Sequence, residues 1–222
     1  MKANRVEIAL EYASERHMGQ KRKDGTPYIF HPMWVADYLI ETGITDEDYI
    51  IAALVHDLLE DTDATEKAIL SYSNMKVLED VKLLTKTKDN KDIYIEKILK
   101  NDIAKAVKNA DRIHNLKCAR TADLDFVKRY LINTKENYLG KFSKELDREY
   151  ESLKKMYDNR YTYIIDTSVD DSPVYRTNES TACVFDRKNR EWIPCDKYFW
   201  TELGDDAKNI TEEEAIKLIS SK

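Results

Sequence analysis

The stretch ALVHDLLEDT, residues 53–62, sets an imidazole and three carboxylates inside an otherwise apolar run. Ahead of it, TDEDYIIA (45–52) reads as a helix start, with Thr45 as N-cap and Asp48 three residues on as its partner. The helix that follows carries Ile50, Ile51, Ala52, Ala53, Leu54, Val55, Leu58 and Leu59, so it is apolar nearly all round and belongs in a core. Unpaired charge in such a place is costly. His56 and Glu60 are four residues apart, as are Asp57 and Asp61, which predicts that these four side chains converge on one narrow wedge of the helix surface. Solvated acids at a helix end would account for Glu60 and Asp61. They account less well for His56 and Asp57, one turn further in, where a bound divalent cation supplies a reason.

Two further residues fit that reading. His31 opens the preceding helical pattern, HPMWVADYLIE (31–41). Asp111, in KNADRIHN, falls on an apolar stripe with Ala104, Val107, His114 and Cys118, where an acid needs a partner. Arg112 and Lys108 are expected on other faces of that helix, and with Lys105 they read as a solvated surface. His31, His56, Asp57 and Asp111 give two imidazoles and two carboxylates, a mixed set suited to Mn²⁺ or a similar octahedral ion with positions left for water and substrate. His17 and His114, the remaining histidines, read as packing or hydrogen-bonding residues. No histidine lies between His56 and His114.

The rest of the chain sets the frame. Its 222 residues suit one sizeable domain, or a domain with an appendage, and 35% charged with 42% hydrophobic residues suits a globular protein. No apolar run approaches the roughly 20 residues of a membrane span, and MKANRVEIALEYASERH (1–17) reads as an amphipathic helix rather than a signal peptide. The 3 cysteines, Cys118, Cys183 and Cys195, are read as reduced thiols, which with the missing leader points to the cytoplasm. A net charge of −6 argues against broad nucleic-acid binding. No G-x-x-x-x-G-K-[ST] loop is present.

Helical periodicity dominates to about residue 158, with segments at 63–73, 75–85, 93–100 and 103–120, a charged loop at 86–92, and a stripe of Phe142, Leu146, Tyr150, Leu153 and Tyr157. YTYIIDTSV, PVYRT, TACVFDR and REWIPCDKYFW (within 161–200) then read as strands, with Trp192, Tyr198, Phe199 and Trp200 as their small core. TEEEAIKLI (211–219) carries a capping-box pattern, Thr211 with Glu214. The fold class expected is mainly α: a helical body over 1–158 followed by a small β-rich α+β module with a terminal helix over 159–222. Cys183 and Cys195 are expected near one another across a hairpin, without enough ligands for zinc.

The combination HMGQKRKDGTPYIFHPMWVADYL (17–39), AALVHDLLEDTDAT (52–65) and VKNADRIHNLK (107–117) resembles the HD-domain phosphohydrolases. Within them it is most similar to the small alarmone hydrolases, stand-alone relatives of the hydrolase domain of RelA/SpoT enzymes. The resemblance spans about residues 5–145. It implies an all-helical body and removal of pyrophosphate from the 3′ position of (p)ppGpp. It implies one Mn²⁺ on His31, His56, Asp57 and Asp111, with Glu60 and Asp61 orienting and activating the attacking water. Arg22 and Lys23 match nucleotide-binding basic residues, Asn115 a contact to the sugar-phosphate region, and Tyr130 a substrate-contacting tyrosine. Their chemistry suits those roles, since guanidinium binds phosphate in a bidentate manner and Glu60 is one turn from His56. The roughly 75 residues beyond the body leave no room for a synthetase domain. A phosphatase acting on another nucleotide, such as NADPH, and an alarmone sensor signalling through 159–222 remain alternatives. The same C-terminal segment is the candidate surface for a homo-oligomer or protein partner.

Overall fold

A computed structural model of the chain describes residues 4–87, 93–158, 160–168, 172–178, 181–195 and 206–220. It divides into two compact units, Met1–Leu153 and Lys154–Lys222. The protein is mainly helical with a small C-terminal sheet, the class expected from the sequence.

The first unit is built from α1 (Arg5–Arg16), α2 (Phe30–Glu41), α3 (Glu47–Val55), α4 (Leu58–Asp61), α5 (Glu66–Tyr72), α6 (Met75–Leu84), α7 (Tyr94–Leu99), α8 (Asp102–Cys118) and α9 (Leu124–Asn137). The long helix α10 (Lys144–Asp158) follows, and its Leu146, Tyr150 and Leu153 are buried, the stripe read from the sequence. α3 is the central element: every residue from Ile50 to Val55 is buried, and the helix packs against α1, α2, α6 and α8. Each large aliphatic side chain fully buried there contributes about 1.5–3 kcal/mol.

Two details of this region depart from expectation. The N-cap of α3 is Asp46, whose carboxylate accepts the Asp48 N–H at 2.9 Å, and Thr45 plays no part in it. Asp48 is instead held by Arg5 of α1 at 2.7 Å and by Asn74, the residue that caps α6, at 3.0 Å. The helix is also not continuous through 53–62. α3 stops at Val55, His56 and Asp57 form a turn, and α4 resumes at Leu58. The His56 ring donates from Nδ1 to the Ala53 carbonyl at 2.7 Å, the acceptor that an unbroken helix offers to the Asp57 N–H. Glu60 N–H and Asp61 N–H then both bond to the Asp57 carbonyl, a tightened turn.

α9 has no separately predicted counterpart. Asp123 caps it by accepting the Phe126 N–H at 2.7 Å, and Val127, Leu131 and Thr134 form its buried face. Of the loop expected over 86–92, residues 88–92 lie outside the described residues.

In the second unit, β1 (Thr162–Asp166), β2 (Val174–Thr177), β3 (Ala182–Asp186), β4 (Glu191–Pro194) and β5 (Ala207–Ile210) form one antiparallel sheet in the order β4-β3-β2-β1-β5. The four predicted runs contain β1 to β4, and β5 is an addition. Trp192 packs edge-on to Phe185, its cross-strand partner, at 5.2 Å and lies 4.4 Å from the Arg176 guanidinium. Tyr198, Phe199 and Trp200, expected in the same core, lie outside the described residues. Cys183 stands opposite Pro194, next to Cys195, and neither forms a disulfide. The last helix, α11 (Glu212–Ser220), starts with the expected capping box: Glu214 accepts the Thr211 N–H at 2.7 Å, and its own N–H donates to Thr211 Oγ1 at 3.2 Å.

Candidate metal centre and adjoining cavity

Three elements of the first unit bring the polar residues together. His31 lies in the first turn of α2, His56 and Asp57 form the turn between α3 and α4, and Asp111 lies midway along α8. Because α8 and α3 both pack on α2, the four side chains meet in the interior. His31 Nε2 stands 3.1 Å from Asp111 Oδ1 and 3.6 Å from Asp57 Oδ2. His56 Nε2 stands 3.1 Å from the same Asp57 oxygen. Ligand atoms of His31, His56 and Asp111 all lie within 4.8 Å of one another.

The donor set fits a cation on its own chemistry. His56 Nδ1 carries a proton, because it donates to the Ala53 carbonyl. Its Nε2 is buried and makes no hydrogen bond of acceptable geometry, although a carboxylate oxygen is 3.1 Å away. In the neutral ring that nitrogen is a bare lone pair facing oxygen lone pairs, an arrangement that a shared positive centre relieves.

The charges nearby make the same point. For His56, burial opposes the charged ring but the negative charge of Asp57 outweighs it, and the pKa rises to about 9. Burial likewise works against ionised Asp57, and the positive His56 overcomes it, so this carboxyl sits below its usual range. For Asp111, burial is outweighed by Lys108 and then His31, which hold it well below the usual value. His31 moves the other way, its pKa lowered chiefly by burial.

Around these four lies a layer of oriented partners. The Tyr28 hydroxyl is 2.7 Å from Asp57 Oδ2 and 3.2 Å from Asp61 Oδ2, and its pKa is raised by burial and then by the charge of Asp57. Arg22 Nη2 donates to Asn115 Oδ1 at 2.8 Å, and Asn115 Nδ2 donates to Asp111 Oδ1 at 2.5 Å, so a basic residue is linked to the cluster through one amide. His31 Nδ1 is 2.7 Å from His114 Nδ1.

A cavity of about 490 Å³ opens beside the cluster. Arg22, Lys23, Asn115 and Tyr130, all singled out in the sequence, line it together with Tyr28 and Phe126. The Lys23 ammonium sits 3.5 Å over the Phe126 ring. Glu60 stands apart from this group: its carboxylate is exposed and accepts the Lys86 N–H at 2.8 Å. Of the expected convergence of His56, Asp57, Glu60 and Asp61, the Tyr28 hydroxyl joins Asp57 to Asp61, whereas the Glu60 carboxylate is engaged by the Lys86 N–H.

The predicted solvated face of α8 is also corrected. Lys108 Nζ pairs with Asp111 Oδ2 at 2.8 Å and is largely buried, as the three-residue spacing allows. Arg112 is buried against the Tyr130 and Tyr138 rings, 3.7 Å from the latter, and donates to Asn133 and Thr134. Tyr28 carried no role in the sequence reading, though it sits within RKDGTPYIFHP, three residues before His31. His17 and His114 are hydrogen-bonded rings, as expected.

Comparison with known proteins follows the same stretch. The HD-domain family model matches residues 9–135. A guanosine-3′,5′-bis(diphosphate) 3′-pyrophosphohydrolase of Aquifex aeolicus is 48% identical over 84 residues, covering 38% of this chain and 12% of that protein. The human protein of that name is 39% identical over 118 residues, 49% of this chain and 66% of its own length. The bifunctional (p)ppGpp synthase/hydrolase SpoT of Escherichia coli is 33% identical over 178 residues, 72% of this chain and 25% of that protein. The chain thus spans less than two thirds of the length of each of these relatives. A solved structure described as a metazoan ortholog of SpoT that hydrolyzes ppGpp superimposes with a TM-score of 0.58 at 26% identity, over 70% of this chain and 96% of the other. The chain belongs to the HD-domain family.

Proposed function

We propose that the chain is a metal-dependent phosphohydrolase that cleaves the 3′-diphosphate of (p)ppGpp or a related purine alarmone and releases pyrophosphate. Its cation is one Mn²⁺, held by His31, His56, Asp57 and Asp111. The observation that carries this reading is the buried group of His31, His56 and Asp111, with the half-buried Asp57 against it, beside a cavity lined by Arg22 and Lys23, whose walls Tyr28 and Asn115 bond directly to Asp57 and Asp111. The names of the similar proteins support the substrate. The mixed nitrogen and oxygen donors suit Mn²⁺.

A divalent ion in this position supplies Lewis acidity and a water of lowered pKa. The chain's own residues do the rest. Arg22 binds phosphate oxygens through its fork of donors while Asn115 fixes its direction, and Lys23 adds a second positive charge. Asp61 accepts the proton of the attacking water, and the Tyr28 phenol ties its carboxylate to Asp57. Glu60 joins it once its contact with the Lys86 N–H is exchanged for solvent. Tyr130 forms a wall for the nucleoside, its own position fixed by the buried Arg112.

Incubation of the purified protein with ppGpp, with Mn²⁺ or with chelator, followed by product analysis, tests the proposal. Metal-dependent appearance of pyrophosphate and GDP is expected. Release of phosphate from NADPH without turnover of ppGpp would retain the site and overturn the substrate.

A further inference from the structure

We infer that His114 is a positioning residue for the metal centre: its Nδ1 accepts the proton of His31 Nδ1 and so leaves His31 Nε2 bare toward Asp57 and Asp111. The inference rests on the metal site proposed above and adds to it a residue outside the ligand set.

The two Nδ1 atoms are 2.7 Å apart, a hydrogen-bond distance that holds one proton. A neutral imidazole carries a single N–H, so the position of that proton decides the tautomer of both rings. If His114 donates, His31 has its proton on Nε2, which then points at Asp111 Oδ1 3.1 Å away, and no lone pair remains for a cation. If His31 donates, Nε2 is free to ligate. His114 then holds its own proton on Nε2, where its neighbour is Cys118 Sγ at 3.7 Å, a weak acceptor at sulfur hydrogen-bond range. The ring of His114 is clamped for this task. It meets His31 edge to edge through that hydrogen bond, with centroids 4.9 Å apart, and stacks on Trp34 at 4.5 Å, so it cannot swing away without losing both contacts. Metal-ligating histidines are ordinarily held through the second ring nitrogen, and loss of such a partner costs about 10- to 100-fold in metal affinity. For His56 that partner is the Ala53 carbonyl; for His31 it is His114.

The test compares His114→Phe and His114→Asn with wild type by Mn²⁺ titration, following free Mn²⁺ by electron paramagnetic resonance. Phenylalanine keeps a stacking ring without an acceptor, whereas the Asn side-chain oxygen can stand near the position of Nδ1. The expected result is about 10- to 100-fold weaker Mn²⁺ binding for His114→Phe, with His114→Asn recovering most of the loss. Equal affinity of His114→Phe and wild type would overturn the inference while leaving the metal site intact. So would His114→Asn as weak as His114→Phe. Absence of Mn²⁺ binding by wild type would overturn the site itself, and the inference with it. Because His114→Phe can fail to fold, the wild-type protein loaded with diamagnetic Zn²⁺ provides a second measurement. Long-range ¹H–¹⁵N spectra are expected to report His31 protonated at Nδ1 and His114 protonated at Nε2, and the reverse assignment would overturn the inference.

Discussion

At the scale of single residues, the account turns on Asp57. Its Oδ2 atom faces His31 Nε2, His56 Nε2 and the Tyr28 hydroxyl at once. Asp57→Ala is expected to abolish Mn²⁺ binding, measured by calorimetric titration. In the metal-free protein it also leaves His56 without its charge partner, and a loss of about 3 kcal/mol in urea unfolding is expected, the usual scale for breaking a buried pair. Lys108 gives a complementary case. Lys108→Met leaves Asp111 as a buried charge without its cation, so the metal-free protein should lose a similar amount, about 3 kcal/mol. Saturating Mn²⁺ should recover part of it by supplying positive charge, and an equal loss with and without the ion would contradict that. His56 and Asp57 were legible in the sequence because a histidine and an acid inside an apolar run demand compensation, and the spacing of Asp111 on its stripe said the same. Lys108 was within reach, since its separation of three residues from Asp111 permits the pair. The placement of Glu60 was not, because its carboxylate is held by the Lys86 N–H, a contact with a distant segment that periodicity does not encode.

At the scale of elements, the first unit is joined by polar ties at helix ends as well as by its core. Asp48 of α3 accepts from Arg5 of α1 and from Asn74, which at the same time caps α6. Burial acts to raise the Asp48 pKa, and the hydrogen bonds from Asn74 and Arg5 outweigh it, so the net shift is downward. A carboxyl depressed in the folded state stabilises that state above its unfolded pKa, and the contribution is lost as pH falls through the folded value. Asp48→Asn should therefore lower the thermal midpoint at pH 7, and the difference from wild type should shrink as pH drops below about 4. A difference independent of pH would contradict the assignment. Apolar periodicity made most helices readable, and the Thr211–Glu214 box is found as written in the sequence. β5 was not readable because AKNI has little strand propensity, and it is extended through pairing with β1. α9 escaped because its buried face is only Val127, Leu131 and Thr134 among charged neighbours.

At the scale of the whole molecule, the proposed site would link folding to metal binding, since its ligands would come from the start of α2, the α3–α4 turn and the middle of α8. An ion that binds the folded chain alone stabilises it by about 2.7 kcal/mol at a hundred times its Kd. Mn²⁺ is accordingly expected to raise the midpoint of thermal unfolding followed by circular dichroism, and chelator to reverse the gain. Among the described residues no helix is long and apolar enough to cross a membrane. Anomalous diffraction from crystals grown with Mn²⁺ decides whether an ion occupies the cluster. One anomalous peak per chain is expected, within bonding distance of His31 Nε2, His56 Nε2, Asp57 and Asp111. A cluster without a peak, or an ion bound elsewhere with these four side chains unligated, would contradict the proposed site.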